Sequence, residues 1–542
     1  MMSSSKSMTQ KIQAQNFGIY SKWLRFLVIL VLILGILFRF VNLEQKPYWS
    51  DEADSLNWIA GYTQSDFKKV ALQGYTMRVE EVQKFQHPDP EKSLIDTYKA
   101  IYYEHAPLYF LIARVWMQLF DTDLLTSRSL SAFFSLLVFP CLYWLCLELF
   151  KSSLVGLIAM ALFAISPLHV LYAQEARQYS LWTVIILLSN WAILRAIRTN
   201  NKIHWGIYAL TLAGGLYTHI LSVIVVIGHS IYLIISERCR ASKIVFSYLL
   251  ASAIGFLFFI PWIIVIFAEK GGSIQAPDWS KAYTPLTSLV QTWILNLSRI
   301  FFDIDRSFSY KDLWLYLLIL CLVFYSIYFI LTNSEKRIWL FILIPAIAPV
   351  VLLMVPDLLL EGRRSTPIRY FIPCYLNIQI IVAYLLANQI TSSYINPWRQ
   401  KLWQIVTVVL ISSGVLSGIA ISQADTWWTK YREYYHSEVA KIVNIANHPL
   451  VIVPWYDMRT LSHSLVSNVV LQDIRLLKNI NSVGKDFSDI FVYQDRDSLD
   501  YFLKNHPNYQ IEKSYTWKRQ TTPVNTTYTI LWKLNKTPIK SG

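Results

Sequence analysis

Tyr48-Trp49-Ser50-Asp51-Glu52-Ala53-Asp54 places three carboxylates within four residues, between aromatic rings, directly after a long apolar run. Acids at such a point have two readings. They can be the solvated first turn of a helix, where negative charge suits the dipole. They can also supply a base that takes the proton from an attacking hydroxyl. Further ionisable residues recur beside apolar segments: Glu104-His105, Glu175-Ala176-Arg177-Gln178-Tyr179, His219, and Arg369-Tyr370 behind Arg363 and Arg364. Each has a bland alternative: His105 neighbours a helix N-cap, His219 is an interhelical hydrogen-bonder, and Arg369 is a snorkelling anchor. Charges at span ends are costly, however, and tend to mark a site. Arginine is the best bidentate partner for a phosphate, and preorganised cations stabilise the charge on a departing phosphate. Tyr48, Trp49, Tyr102, Tyr103 and Tyr109 lie close in sequence to the acids and offer faces for a sugar ring. Acids, arginines and aromatics on one membrane face suit transfer of a group from a lipid-linked phosphate to a hydroxyl.

The elements that must hold these residues are membrane helices. Of 542 residues, 54% are aliphatic or aromatic and only 15% charged, too few charges for a soluble chain of this length. The net charge of +14 belongs to cytoplasmic loops and calls for no nucleic acid. Apolar segments at 24–42, 129–149, 154–171, 180–197, 204–219, 220–236, 244–268, 312–331, 338–355, 370–389 and 402–422 read as about eleven spans, each near the length of roughly 20 residues that a bilayer needs. The first lacks a cleavage site and reads as a retained anchor. Residues 106–120 are apolar but short and carry Arg114, so they are expected to lie in the interface. With that assignment and an inner N-terminus, Lys151, Arg195, Arg198, Arg238, Arg240, Lys336, Arg337 and Arg399 all fall inside; if 106–120 crossed, they would move outside, against the positive-inside tendency.

The expected organisation is a cytoplasmic segment 1–23, a transmembrane domain 24–422 with an outer-face loop 43–128, and an extracytoplasmic α/β domain 423–542. In that last region, 450–455, 489–494, 509–517 and 527–534 read as strands, and 458–466 and 498–504 as helices. The five cysteines all lie in or beside apolar segments without metal-ligand spacing, so neither disulfides nor a cysteine metal site is expected. Sequons at Asn296 and Asn525 carry no weight, because patterns so short arise by chance.

Taken in order, the motifs resemble the GT-C glycosyltransferases, specifically the bacterial branch related to protein O-mannosyltransferases and to the lipid A aminoarabinose transferase. The matching pieces are Asp51-Glu52-Ala53, His105-Ala106-Pro107-Leu108-Tyr109, Arg128-Ser129-Leu130-Ser131, Ser166-Pro167-Leu168-His169, Gln174 to Ser180, Tyr217-Thr218-His219, and Arg369-Tyr370-Phe371-Ile372-Pro373. They span about residues 25–375. The resemblance implies a mainly α, GT-C-like polytopic helix bundle in the inner (plasma) membrane. It also implies an inverting transfer from a polyprenyl-phosphate-linked sugar to a lipid, glycan or protein hydroxyl on the extracytoplasmic face. No cofactor is required under that reading, and a divalent metal is optional and not indicated. Asp51 would be the general base and Glu52 a supporting acid. Glu104, His105, Glu175, Arg177, Tyr179, His219, Arg369 and Tyr370 would line the donor phosphate and substrate region. His105 and His219 stand where relatives carry lysine; Arg177 and Arg369 would compensate for the missing charge. Asp54 matches no motif position. Two other classes compete. A transporter or flippase of lipid-linked sugars predicts broken helices in repeated halves and charges at mid-bilayer. A non-catalytic anchor for the outer domain predicts a silent Asp51→Asn.

Overall fold

In a computed structural model of the chain, the described residues are 21–73, 76–120, 123–269, 278–391, 396–475, 487–494, 496–519 and 526–536. Residues 1–20, the Asn525 sequon position and part of the 269–311 loop therefore lie outside them. The described residues are mainly helical with one small sheet. Helices occupy every apolar segment marked in the sequence, from Ser21–Phe40 to Pro397–Gln423. Among the described residues, seven are long and apolar enough to cross a membrane, or eight if one bent pair counts as a single span.

That bent pair, Ser153–Ala164 and Pro167–Ala173, turns by 63°. Pro167 sits at the start of its second half, where its missing N–H costs nothing. The break strips partners from the last carbonyls of the first half, a loss that must be made good inside a bilayer. Arg39 of the first helix does so. Fully buried, it donates to Ala164 O at 2.6 Å and Phe163 O at 3.2 Å, and also to Ser135 Oγ at 2.8 Å. The approach requires Gly35, because a Cβ there would lie 2.5 Å from Ala164 O. Beyond the bend the chain emerges at Gln174, whose Nε2 donates to Phe38 O at 2.7 Å and fixes the turn carrying Glu175 and Arg177.

At the other end of the bundle Glu148 gathers Lys151, Arg195 and Arg198 at 3.5, 3.4 and 2.5 Å. One basic cluster thus lies at the end opposite Asp51, Arg177 and Arg369.

The Leu108–Leu119 helix is about 18 Å long at 1.5 Å per residue, well short of a hydrocarbon core of about 30 Å. Arg114 points inward and donates to Ile59 O at 2.6 Å, Asp89 O at 2.8 Å and Lys92 O at 2.5 Å. The arginine that argued against a crossing is the peg that holds the outer loop together.

The sheet runs in the order β1-β3-β2-β4-β6-β5. Its strands are β1 (Met77–Arg78), β2 (Pro449–Val453), β3 (Val470–Asp473), β4 (Asp489–Tyr493), β5 (Tyr509–Arg519) and β6 (Thr526–Lys536). Four correspond to the strands read from the sequence; β1 and β3 were not anticipated. β2 lies parallel to β3 and β4 and is buried throughout, as central parallel strands are. β1 comes from the outer loop and pairs antiparallel with β3 through Met77 and Leu471. The outer loop and the C-terminal region are therefore parts of one sheet.

Candidate active site

The Ser50–Ala60 helix begins immediately after Trp49 and ends at Gly61, whose φ of +90° is a left-handed stop suited to glycine. Its successive residues are turned about 100° apart, so Asp51, Glu52 and Asp54 meet three different surroundings.

Glu52 is fully buried and fully engaged. Arg128 donates Nε to Oε1 at 2.9 Å and Nη2 to Oε2 at 3.0 Å, Lys430 Nζ donates to Oε2 at 3.0 Å, and Ala176 N donates to Oε1 at 2.9 Å. Lys430 also reaches Glu175 at 3.3 Å, closing a buried quartet of two acids and two bases. Burial alone would push the Glu52 carboxyl up; the Arg128 and Lys430 charges outweigh it and hold the group below its ordinary value. Arg128 also donates to the carbonyls of Leu43, Lys46 and Pro47, at 2.5, 2.8 and 3.1 Å. It thereby ties the exit of the first helix to the acidic helix.

Asp51 is different. Its side chain is 29% exposed, with Arg369 Nη2 3.5 Å and Arg177 Nη2 3.7 Å from Oδ2. Both distances exceed the ~2.7–2.9 Å of a tight charge-assisted hydrogen bond. Arg177 is held elsewhere, donating to Asp51 O at 3.0 Å and Ser55 Oγ at 2.8 Å. The Nε atoms of both arginines are buried and unpartnered, which is costly unless a ligand supplies the acceptor. Arg369 lies over the Trp49, Tyr370 and Tyr179 rings at 5.1, 5.4 and 5.9 Å.

His105 Nδ1 is 3.5 Å from Arg177 Nη2, and its ring lies 4.9 Å from that of Trp58. Burial, with Arg177, His219 and Arg369 nearby, drives its basicity well below the ordinary histidine range. His105 is therefore neutral and adds no charge to the two arginines. His219 stacks on Trp182 at 4.3 Å, 6.1 Å from both the Tyr179 and Tyr370 rings. Glu104 is half-buried and makes no ion pair with this group among the described residues. Glu175 belongs to the Glu52 quartet rather than to the Asp51 side. Nine of the ten residues singled out by sequence thus sort onto two sides of one helix end. Among the described residues no three His, Cys, Asp or Glu side chains gather as metal ligands.

Two cations escaped the sequence reading. Lys430 follows Trp427 and Trp428 just past the last apolar helix, in a region whose only visible signal was the change to alternating strands. Arg459 of the Trp455–Leu461 helix ion-pairs with Asp54 and approaches Asn57 Oδ1 at 3.4 Å. Asp54 thus gains a partner: it docks the C-terminal region. Other motif pieces brace one another. Tyr109 OH meets Ser131 Oγ at 2.8 Å, and Ser131 Oγ donates to Arg177 O at 3.0 Å.

The described residues thus form a helix bundle with an acidic helix after its first apolar helix, two arginines facing that helix, and a mixed sheet on the same side. Comparison with known proteins finds a family model that matches part of the chain and solved structures similar in fold. Residues 104–265 match the family model described as dolichyl-phosphate-mannose-protein mannosyltransferase. The match takes in His105, Arg177 and His219 but not Asp51 or Arg369. ArnT from Cupriavidus metallidurans in the apo state is similar over 94% of this chain and 98% of its own, at 11% identity and a TM-score of 0.56. AglB from Archaeoglobus fulgidus, in complex with an inhibitory peptide and a dolichol-phosphate, is similar over 94% of this chain and 74% of its own, at 10% identity and a TM-score of 0.46. No curated protein matches by sequence.

Proposed function

We propose that this protein is an inverting glycosyltransferase that moves a sugar from a polyprenyl-phosphate donor to an acceptor hydroxyl on the extracytoplasmic face of the membrane. The observation that carries the reading is the contrast between two neighbouring acids. Glu52 is saturated with partners, whereas Asp51 is partly open, loosely paired and faced by Arg177 and Arg369. Asp51 takes the proton from the acceptor hydroxyl as its oxygen forms the new bond to the anomeric carbon. The bond from that carbon to the phosphate oxygen breaks on the opposite side, which inverts the configuration. Arg177 and Arg369 bind the phosphate and stabilise the charge it takes away. Their long contacts to Asp51 leave N–H groups free for it. His105 and His219, being uncharged or stacked, shape the region rather than neutralise it. Glu52 is a positioning residue that fixes the helix register through Arg128 and Lys430. The same reading has all eleven apolar segments crossing and residues 423–542 as an extracytoplasmic α/β domain.

Asp51→Asn is expected to abolish transfer while the protein inserts and accumulates normally. The assay is mass spectrometry of envelope lipids and glycans from a deletion strain carrying either version. The wild-type gene should restore a single lost sugar unit and the variant should not. Full restoration by Asp51→Asn would sink the general-base assignment.

A further inference from the structure

One residue at this site is held in a strained backbone conformation. Tyr431 lies in the Trp428–Tyr435 turn with φ +45° and ψ −108°, a backbone state that a non-glycine residue adopts only under constraint. Its neighbours supply the constraint. Trp427 Nε1 and Trp428 Nε1 donate to Asp303 Oδ2 at 3.0 and 2.6 Å, and Trp428 N donates to Asp305 Oδ1 at 2.7 Å. Lys430 is locked to Glu52 and Glu175, and Glu433 Oε1 accepts from Ser50 N at 3.1 Å. The turn is thus nailed down on both sides of Tyr431, and the ring is thrown outward. It is 42% exposed, although Trp428, Thr429, Lys430 and Glu433 around it are buried. The ring stands 5.7 Å from that of Trp49, tilted by 38°, and its hydroxyl is within electrostatic reach of Arg369 and Tyr370. Beside it lie two buried polar atoms with no partner, Trp49 Nε1 and Glu433 Oε2.

An open aromatic face, an unused indole N–H and an unused carboxyl oxygen next to the loosely held Asp51 describe a carbohydrate subsite. The aromatic face takes the C–H side of a pyranose or furanose ring and the polar atoms take its hydroxyls. We propose that Tyr431, supplied by the C-terminal region, forms with Trp49 the clasp for the sugar being transferred. The donor sugar is the ring assigned because Arg369, which binds the phosphate it leaves, lies over the Trp49 ring and within electrostatic reach of Tyr431. This rests on the glycosyltransferase reading above. It adds that the C-terminal region shapes donor specificity.

Strain held for ligand contact should relax in a Tyr431→Gly variant, since glycine accepts positive φ. The purified full-length variant is expected to melt at or above the wild-type temperature while envelope product falls at least about tenfold, the equivalent of one good aromatic contact. Tyr431→Phe keeps the ring and should retain product within about threefold. The methyl glycoside of the transferred sugar, identified from the envelope spectrum, should raise the melting temperature of wild type and Tyr431→Phe but not of Tyr431→Gly. Undiminished product from Tyr431→Gly overturns the proposal. So does a melting temperature that falls in step with product, which would make Tyr431 structural, or a glycoside shift that survives in Tyr431→Gly. A deletion strain with no missing sugar overturns the glycosyltransferase reading itself, and the two failures are thereby distinguished.

Discussion

Glu52 and Asp51 are adjacent in sequence, yet one is locked between Arg128 and Lys430 while the other is partly exposed and loosely paired. Removing one member of a buried ion cluster leaves uncompensated charge and costs about 3–5 kcal/mol. Arg128→Leu is therefore expected to destabilise the solubilised protein by that order, read as an earlier midpoint in chemical unfolding; an unchanged midpoint would show that the quartet does not hold the helix. His105 leads to a different expectation. Because burial and Arg177 hold its basicity well below the ordinary histidine range, its protonation does not control the site near neutral pH. His105→Gln should lower activity only modestly and leave the pH profile of transfer unchanged in shape. If the substitution removed an acidic limb, histidine would be a working cation after all. Much of this was legible in the sequence, because Asp51, Arg177, His219 and Arg369 each carry a local signature. Lys430, Tyr431 and Arg459 were not. They act across hundreds of residues, and their own surroundings bear no pattern that separates a buried lysine or a strained tyrosine from surface ones.

At the level of elements, the long apolar helices were readable from run length. The bend was not, since Pro167 signals a helix start but not the 63° turn that Arg39 and Gly35 make tolerable. Strands β1 and β3 escaped because they are two and four residues long and owe their existence to each other and to β2. The clasp between the 299–306 loop and the Trp428–Tyr435 turn carries a pH prediction. Burial, aided by Asp303, lifts the Asp305 carboxyl from 3.8 to about 6. The unfolded chain gives up that proton near the ordinary value while the folded one holds it longer, so the group makes stability fall between those two pH values and leaves it level above them. Asp305→Asn abolishes the titration, and asparagine tolerates the φ of +59° found there. Apart from a constant offset, the variant should gain melting temperature relative to wild type from pH 4 to 6 and no further up to pH 8. Parallel curves throughout would refute the assignment.

The whole molecule is polarised. Arg195, Arg198 and Lys151 surround Glu148 at one end, and the site and the sheet lie at the other. With the basic end cytoplasmic, a membrane-impermeant maleimide applied to intact spheroplasts should label Ile445→Cys, at an 83% exposed position. It should miss the exposed Cys239 until the membrane is opened, with Cys321→Ser as background. The reverse pattern would invert the topology. The sequence conveyed this polarity through its loop charges, but not the interlocking of the outer loop with the C-terminal region. That interlocking gives the site a history in time. Lys430 completes the quartet around Glu52 from 378 residues downstream. At a synthesis rate of about 5–20 residues per second, roughly 20–75 s separate the emergence of the two. Once Arg128 and Glu175 have emerged, and until Lys430 does, the nascent bundle holds Glu52, Arg128 and Glu175 one positive charge short. The acidic helix can settle into its final register only when the last part of the chain arrives, so a ribosome-bound or prematurely terminated chain carries the motifs without the finished site.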